Sequence, residues 1–381
     1  MSATRFLRGS GGELGRRLGS AIRFAIESAA RANEPERLLE HYRSLLARLS
    51  GPTPPPDVEL LAFLRDAGVP ATDADRVILH VGFGHSATTS LQHAFFRQRD
   101  DIHYAGLPYG NAGGLFSHLK YTEDHLLDAE LLTRECRNWL YGDPARNGRP
   151  IVVSDEMLTE PPEIYYHPHL LPGPQVAARL KLFFPIARIV FTIRRQADYV
   201  PSLYFNLKRN YAYLAGMPMP PFEEWWHGVM HTQVRGAYLL NLDYAPLIRV
   251  YSALFGRENI LVLPLEKLKS QGDREYLGTL CEFMNVPLRD RDLEHFRVPH
   301  NQRMTVVEDR VAELLAARQS ESAVREAFSN EKLTGLMGQA PRATLELSEQ
   351  IRSEIADRVA KGNRWLAETF ALPLAEWGYA T

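Results

Sequence analysis

The sequence predicts an α/β fold, a central parallel sheet flanked by helices, and three observations predict it. Five short runs rich in Val and Ile recur along the chain, at Val77 to Val81, Ile102 to Ala105, Ile151 to Ser154, Ile189 to Ile193 and Ile260 to Leu263. They are nearly continuous in apolar character, as suits strands covered on both faces. Helical patterns separate them, and such alternation implies parallel strands with ligand sites at their carboxyl ends. At 381 residues, 45% hydrophobic and 24% charged, the chain has enough apolar material for a large core.

Composition excludes several function classes. Forty-four basic side chains against 46 acidic ones leave a formal charge of −2, so no global basic field recruits nucleic acid. Cys136 and Cys281 are too few for a disulfide framework or a four-ligand zinc site, and are expected as buried thiols in a reducing compartment. No apolar run reaches the length of about 18 residues expected of a membrane span, and the N-terminus lacks a secretory apolar stretch. A cytoplasmic location is expected.

Residues 1 to 50 differ from the rest, with nine arginines, five glutamates, and no lysine or aspartate. LGRRLGSAIRFAIESAARA and ERLLEHYRSLLARL read as amphipathic helices, and GPTPPPD, residues 51 to 57, as a stiff linker. The expected division is an arginine-rich helical arm with its linker over 1–57 and an α/β domain over 58–381. The arm has three possible partners: its own domain, another subunit, or the anionic inner face of a membrane as a peripheral contact.

The first strand runs into the clearest motif, RVILHVGFGHSATTSLQ from Arg76 to Gln92. A strand, a turn with Gly82 and Gly84, and a helix start point unpaired N–H groups and a helix dipole at one spot, which suits a phosphate. Ser86, Thr88, Thr89 and Ser90 add hydroxyls, while Leu91, Ala94 and Phe95 recur on the opposite, buried face. An ordinary turn with Ser/Thr caps is the bland alternative. The loop lacks the Gly-Lys pair of nucleotide-triphosphate P-loops.

GFGHSATTSLQ resembles the 5′-phosphosulfate loop of sulfotransferases that use 3′-phosphoadenosine 5′-phosphosulfate (PAPS). His80, Gly82, Ser86, Thr88, Thr89, Leu91 and Gln92 match the pattern H-x-G-x-x-K-[ST]-G-T-T-x-L-Q, with Ala87 in place of glycine and His85 in place of lysine. A second segment, RIVFTIRRQADYVPSLYFN from Arg188 to Asn206, places Arg194 at a strand end and Ser202 eight residues later on a helix beginning near Ala197. The resemblance implies that these two hold the donor's 3′-phosphate, a task suited to the planar arginine fork. LDYAPLIRVYSALFGRENILVLPLEKL and the closing NRWLAETFALPLAEWGY resemble the family too, chiefly in structural positions. The implied fold is a P-loop-like domain, and the implied donor-site set is Gly82, Gly84, His85, Ser86, Ala87, Thr88, Thr89, Arg194 and Ser202.

Sulfuryl transfer needs an anchored donor, a base for the acceptor's proton, and positive charge on the leaving phosphate. IVVSDEMLTE puts Asp155 and Glu156 at a strand tip, where many bacterial relatives carry S-x-E. Glu156 is the expected general base and Ser154 a further donor-site candidate; the alternative is that Asp155 and Glu156 cap the next helix. His85 is the second catalytic candidate, an imidazolium favoured by nearby anionic oxygens and assisting the leaving group. His93 and His103 are reserve bases, His80 an orienting residue, and Asn301 a weak donor-pocket candidate.

The expected activity is transfer from PAPS, as co-substrate, to a hydroxyl or amine acceptor, by family analogy a saccharide or glycolipid. No metal is expected. The aromatic run Tyr199, Tyr204, Phe205, Tyr211, Tyr213, Phe222, Trp225 and Trp226 either faces such an acceptor or packs a helical insertion. The competing readings are a Mg-dependent P-loop phosphotransferase, with Asp155 and Glu156 ending a Walker B strand, and a catalytically silent nucleotide-binding protein.

Overall fold

Four-residue segments buried at every position form the middle of the sheet. The computed structural model describes residues 77–107, 113–123, 126–136, 148–159, 171, 173–210, 219–231, 242–296, 304–317 and 339–381. Its strands are β1 Val77–His80, β2 His103–Tyr104, β3 Ile151–Ser154, β4 Arg188–Ile193 and β5 Ile260–Pro264, in the order β2-β3-β1-β4-β5. All five predicted strands are present within one or two residues of their expected ends. The pairs of β1 with β3 and β4, and of β2 with β3, are parallel. Every residue of β1 and β3 is buried, as the continuous apolar runs require.

The helices, in chain order, are α1 Gly113–Tyr121, α2 Ala129–Cys136, α3 Gly173–Phe183, α4 Gln196–Asn210, α5 Phe222–His231, α6 Ala245–Phe255, α7 Leu265–Met284, α8 Asp290–Phe296, α9 Val306–Ala317 and α10 Glu349–Phe370. The mixed α/β class is therefore that read from the sequence. The strand order makes β1 the switch point, with β3 on one side and β4 on the other, and ligand crevices form at such points. None of the described helices is long and apolar enough to cross a membrane. The arm and linker at 1–57, and Asn301, Tyr211 and Tyr213, lie outside the described residues.

The chain groups into two compact units. The first has its described part within Met1–Val81, Asp100–Phe191 and Pro246–Leu261. Its core joins the strands to α1, α3 and α6 through Leu115, Phe116, Ala177, Leu180, Ile248 and Tyr251. Fully buried Arg179 of α3 hydrogen-bonds the carbonyls of His118 and Leu119, satisfying the C-terminal turn of α1.

The second unit comprises Gly82–Arg99, Thr192–Ala245 and Val262–Thr381. Buried Arg99 donates to Asp292 at 2.6 Å and to the Pro287 carbonyl at 2.7 Å, tying the end of the loop helix to α8. Six of the eight aromatics singled out in the sequence are buried here, with Tyr204, Phe222, Trp225 and Trp226 in mutual ring contact. The Tyr204 hydroxyl donates to the Pro220 carbonyl and Trp226 Nε1 to Glu354. These six are packing residues, which removes them as a stacking wall for an acceptor. Cys281 is a buried thiol, as expected.

Candidate anion-binding site

The loop after β1 is shaped by residues other than its glycines. His85 and Ala87 adopt left-handed backbone, at φ 62° and 67°. For residues with a Cβ this costs roughly 1–2 kcal/mol each. Gly82 and Gly84 are not among the residues with positive φ. Strain of this kind persists where surrounding structure imposes it, and successive amides in such turns converge on anions.

Ala87 precedes the helical turn Thr88–Ser90, which continues as a π turn over Leu91–Phe95 and a 3-10 turn over Phe96–Gln98. No side chain caps this start, and the Ser86 hydroxyl donates instead to the Gly84 carbonyl at 3.3 Å. The bland expectation of a Ser/Thr-capped turn therefore fails. Leu91, Ala94 and Phe95 are buried, as their spacing predicts.

Arg194 closes the site from β4. Its Nη1 donates to the carbonyl of His85 at 3.1 Å, joining two motifs 109 residues apart. The loop runs alongside the strand that delivers it, since the Phe83 N–H donates to the Thr192 carbonyl. Ser202 lies partly exposed on α4, one residue beyond Pro201. A cavity of about 320 Å³ opens at the first turns of α4, with Arg195, Asp198, Pro201, Leu347, Arg352 and Gly378 among its walls.

Electrostatics at His85 follow from its burial and its neighbour. Desolvation, and then the Arg194 guanidinium, lower its pKa from 6.5 to about 4. With those two influences alone its imidazole is neutral at physiological pH, and the fixed positive charge beside it belongs to Arg194. Tyr199 packs edge-on against the ring, at 5.7 Å between centroids. Asp198, in the first turn of α4, would be raised by burial. The hydrogen bond from Arg195 and the charges of Lys269, Arg195 and Arg194 outweigh that and hold it below the usual carboxylate range.

In the first unit, the tips of β1 and β3 are tied together by His80 Nδ1 and Ser154 Oγ at 2.6 Å. Both are buried, so Ser154 serves the strand junction, and burial lowers the His80 pKa to about 3. Asp155 is fully buried: one oxygen accepts from the Met157 N–H and the other from Lys120 Nζ at 2.5 Å. The capping alternative thus holds for Asp155. Glu156 opens the turn Glu156–Leu158, partly exposed, two residues beyond Ser154. His93 is partly exposed in the π turn and His103 lies on the edge strand β2.

Lys120 was not legible in the sequence as a partner of Asp155. It precedes it by 35 residues on a helix whose apolar pattern gives no hint of the contact. No group of three or more His, Cys, Asp or Glu residues is arranged to hold a metal among the described residues.

Fold and site together define an α/β protein whose first strand runs into a candidate anion-binding loop with left-handed backbone at His85 and Ala87. No protein-family profile and no curated protein matches the chain. Among solved structures it is similar to a sulfotransferase from Alicyclobacillus acidocaldarius, at 15% identity over 79% of this chain and 97% of that one, with a TM-score of 0.46. It is also similar to the sulfotransferase domain from the curacin biosynthetic pathway, at 15% identity over 74% and 95%, with a TM-score of 0.36.

Proposed function

We propose that the chain is a PAPS-dependent sulfotransferase acting on a hydroxyl or amine, with a saccharide or glycolipid as the acceptor class. The observation that carries the reading is the bond from Arg194 to the His85 carbonyl, which unites the loop with the Arg-x7-Ser segment. In this reading the amides of Gly82, Gly84, His85, Ser86, Ala87, Thr88 and Thr89, with the Ser and Thr hydroxyls, hold the 5′-phosphosulfate. Arg194 and Ser202 hold the 3′-phosphate. Glu156 takes the acceptor's proton as the sulfuryl group moves from the phosphate oxygen to the acceptor oxygen or nitrogen. The backbone donors of the loop and His85 supply the hydrogen bonds and positive field on the leaving 5′-phosphate.

A Mg-dependent phosphotransferase fits less well. The aspartate that would carry the ion in a Walker B strand is engaged by Lys120 and the Met157 N–H inside the protein, and the loop has no lysine. Thermal stabilisation separates the readings. Adenosine 3′,5′-bisphosphate at a hundred times its Kd should add about 2.7 kcal/mol of stability. A shift with ATP and Mg2+ alone would sink the sulfotransferase reading.

A further inference from the structure

The C-terminal tail reaches the anion-binding turn through a chain of buried groups that converge on one peptide. The Tyr244 hydroxyl donates to the Arg194 carbonyl at 2.7 Å, and Glu266 Oε2 accepts from the Arg195 N–H at 3.2 Å. That carbonyl and that N–H belong to the same peptide unit, so its plane is held from both edges. Glu266 is held in turn. The Tyr379 hydroxyl donates to the same oxygen at 2.6 Å, and Lys269 Nζ lies 3.5 Å from the other. Burial first, then the Glu266 charge, push the Tyr379 hydroxyl well above its ordinary pKa, so it stays a donor.

The neighbouring tail residues act on the same turn. Gly378, at φ 77°, lies so close to Arg195 that a Cβ there would stand 2.8 Å from Nη1. Fully buried Asn363 exchanges two hydrogen bonds with Gln196, at 2.9 and 3.1 Å, and donates to the Ala380 carbonyl at 2.8 Å. The Arg194–Arg195 peptide is thus braced by residues 50 and 71 positions away, and Gln196 by one 167 positions away. The orientation of the Arg194–Arg195 peptide sets the direction in which the long Arg194 side chain leaves the backbone, and a small rotation there is amplified at the guanidinium.

We propose that Tyr379, acting through Glu266, is a positioning residue for Arg194 and thereby sets affinity for the 3′-phosphate of the donor. The proposal rests on the assignment of Arg194 made above. Tyr379→Phe keeps the buried ring and removes only the hydroxyl. Calorimetric titration with adenosine 3′,5′-bisphosphate should show a loss of about threefold to tenfold, while adenosine 5′-monophosphate, which lacks the 3′-phosphate, binds as to wild type. Gly378→Ala, whose added Cβ would stand 2.8 Å from Arg195 Nη1, should give the same selective loss, and it decides the matter if Tyr379→Phe does not fold. Equal losses for both nucleotides, or none, would show the tail to be merely structural and overturn the proposal. If wild type itself binds the two nucleotides equally, the assignment of Arg194 falls and the proposal with it. If wild type discriminates, Arg194→Ala abolishes the discrimination and both tail variants retain it, the positioning proposal alone is wrong.

Discussion

Acid should destabilise this protein through a histidine that the fold buries uncharged. His80 is 1% exposed, its Nδ1 meets Ser154 Oγ, and desolvation lowers its pKa from 6.5 to about 3. The folded state therefore binds fewer protons than the unfolded state between those values. Stability is fully present above pH 6.5 and is lost as pH falls toward 3. One proton of difference corresponds to about 1.4 kcal/mol per pH unit, so lowering the pH from 7.5 to 5.0 should remove about 2 kcal/mol through His80. His85, partly exposed and lowered to about 4, adds a smaller loss of the same sign. The assay is urea unfolding at the two pH values for wild type and for His80→Gln, which cannot titrate there. The variant starts less stable but should lose about 2 kcal/mol less on acidification, with similar m-values. Parallel losses in both proteins would refute the reasoning.

Three further outcomes are expected. Ala87→Gly relieves left-handed backbone at φ 67° and should raise stability by about 1 kcal/mol in the same unfolding assay, since the position is strained for any residue with a Cβ. Glu156→Gln keeps shape and hydrogen bonding but removes the proposed base, so turnover should fall by roughly a hundredfold or more with donor affinity nearly unchanged; surviving turnover would move the base elsewhere. In this reading the donor's anionic oxygens raise the His85 pKa above the value that burial and Arg194 set, so wild-type activity at saturating donor should decline with rising pH and His85→Ala should lack that decline; superimposable pH–rate profiles would show that the ring carries no catalytic charge.

The strands were legible because burial on both faces writes a simple signal, and β3 was read to the residue. The candidate anion-binding loop was legible as a strand, a turn and hydroxyls, yet its geometry was not. Positive φ fell on His85 and Ala87, which local preference disfavours and only surrounding structure can impose. The charge state of His85 was not legible for the same kind of reason: sequence supplies the histidine, while its lowered pKa comes first from burial and then from a guanidinium 109 residues further on. The closing NRWLAETFALPLAEWGY was read as structural packing. Its Asn363, Gly378 and Tyr379 do pack, converging on Gln196, Arg195 and Glu266, contacts that no local periodicity encodes. Aromatic side chains carry no mark of which way they face, and the six described ones turned into the core.

The central claim is that Arg194 and the loop it closes hold a nucleotide bearing a 3′-phosphate. Titration of wild type and Arg194→Ala with adenosine 3′,5′-bisphosphate and with adenosine 5′-monophosphate tests it most directly. Loss of a charge-assisted contact of about 1.5–3 kcal/mol predicts bisphosphate binding weakened about ten- to a hundredfold in the variant, with monophosphate binding hardly changed. Equal weakening of both ligands, or a wild type that binds neither, would contradict the account.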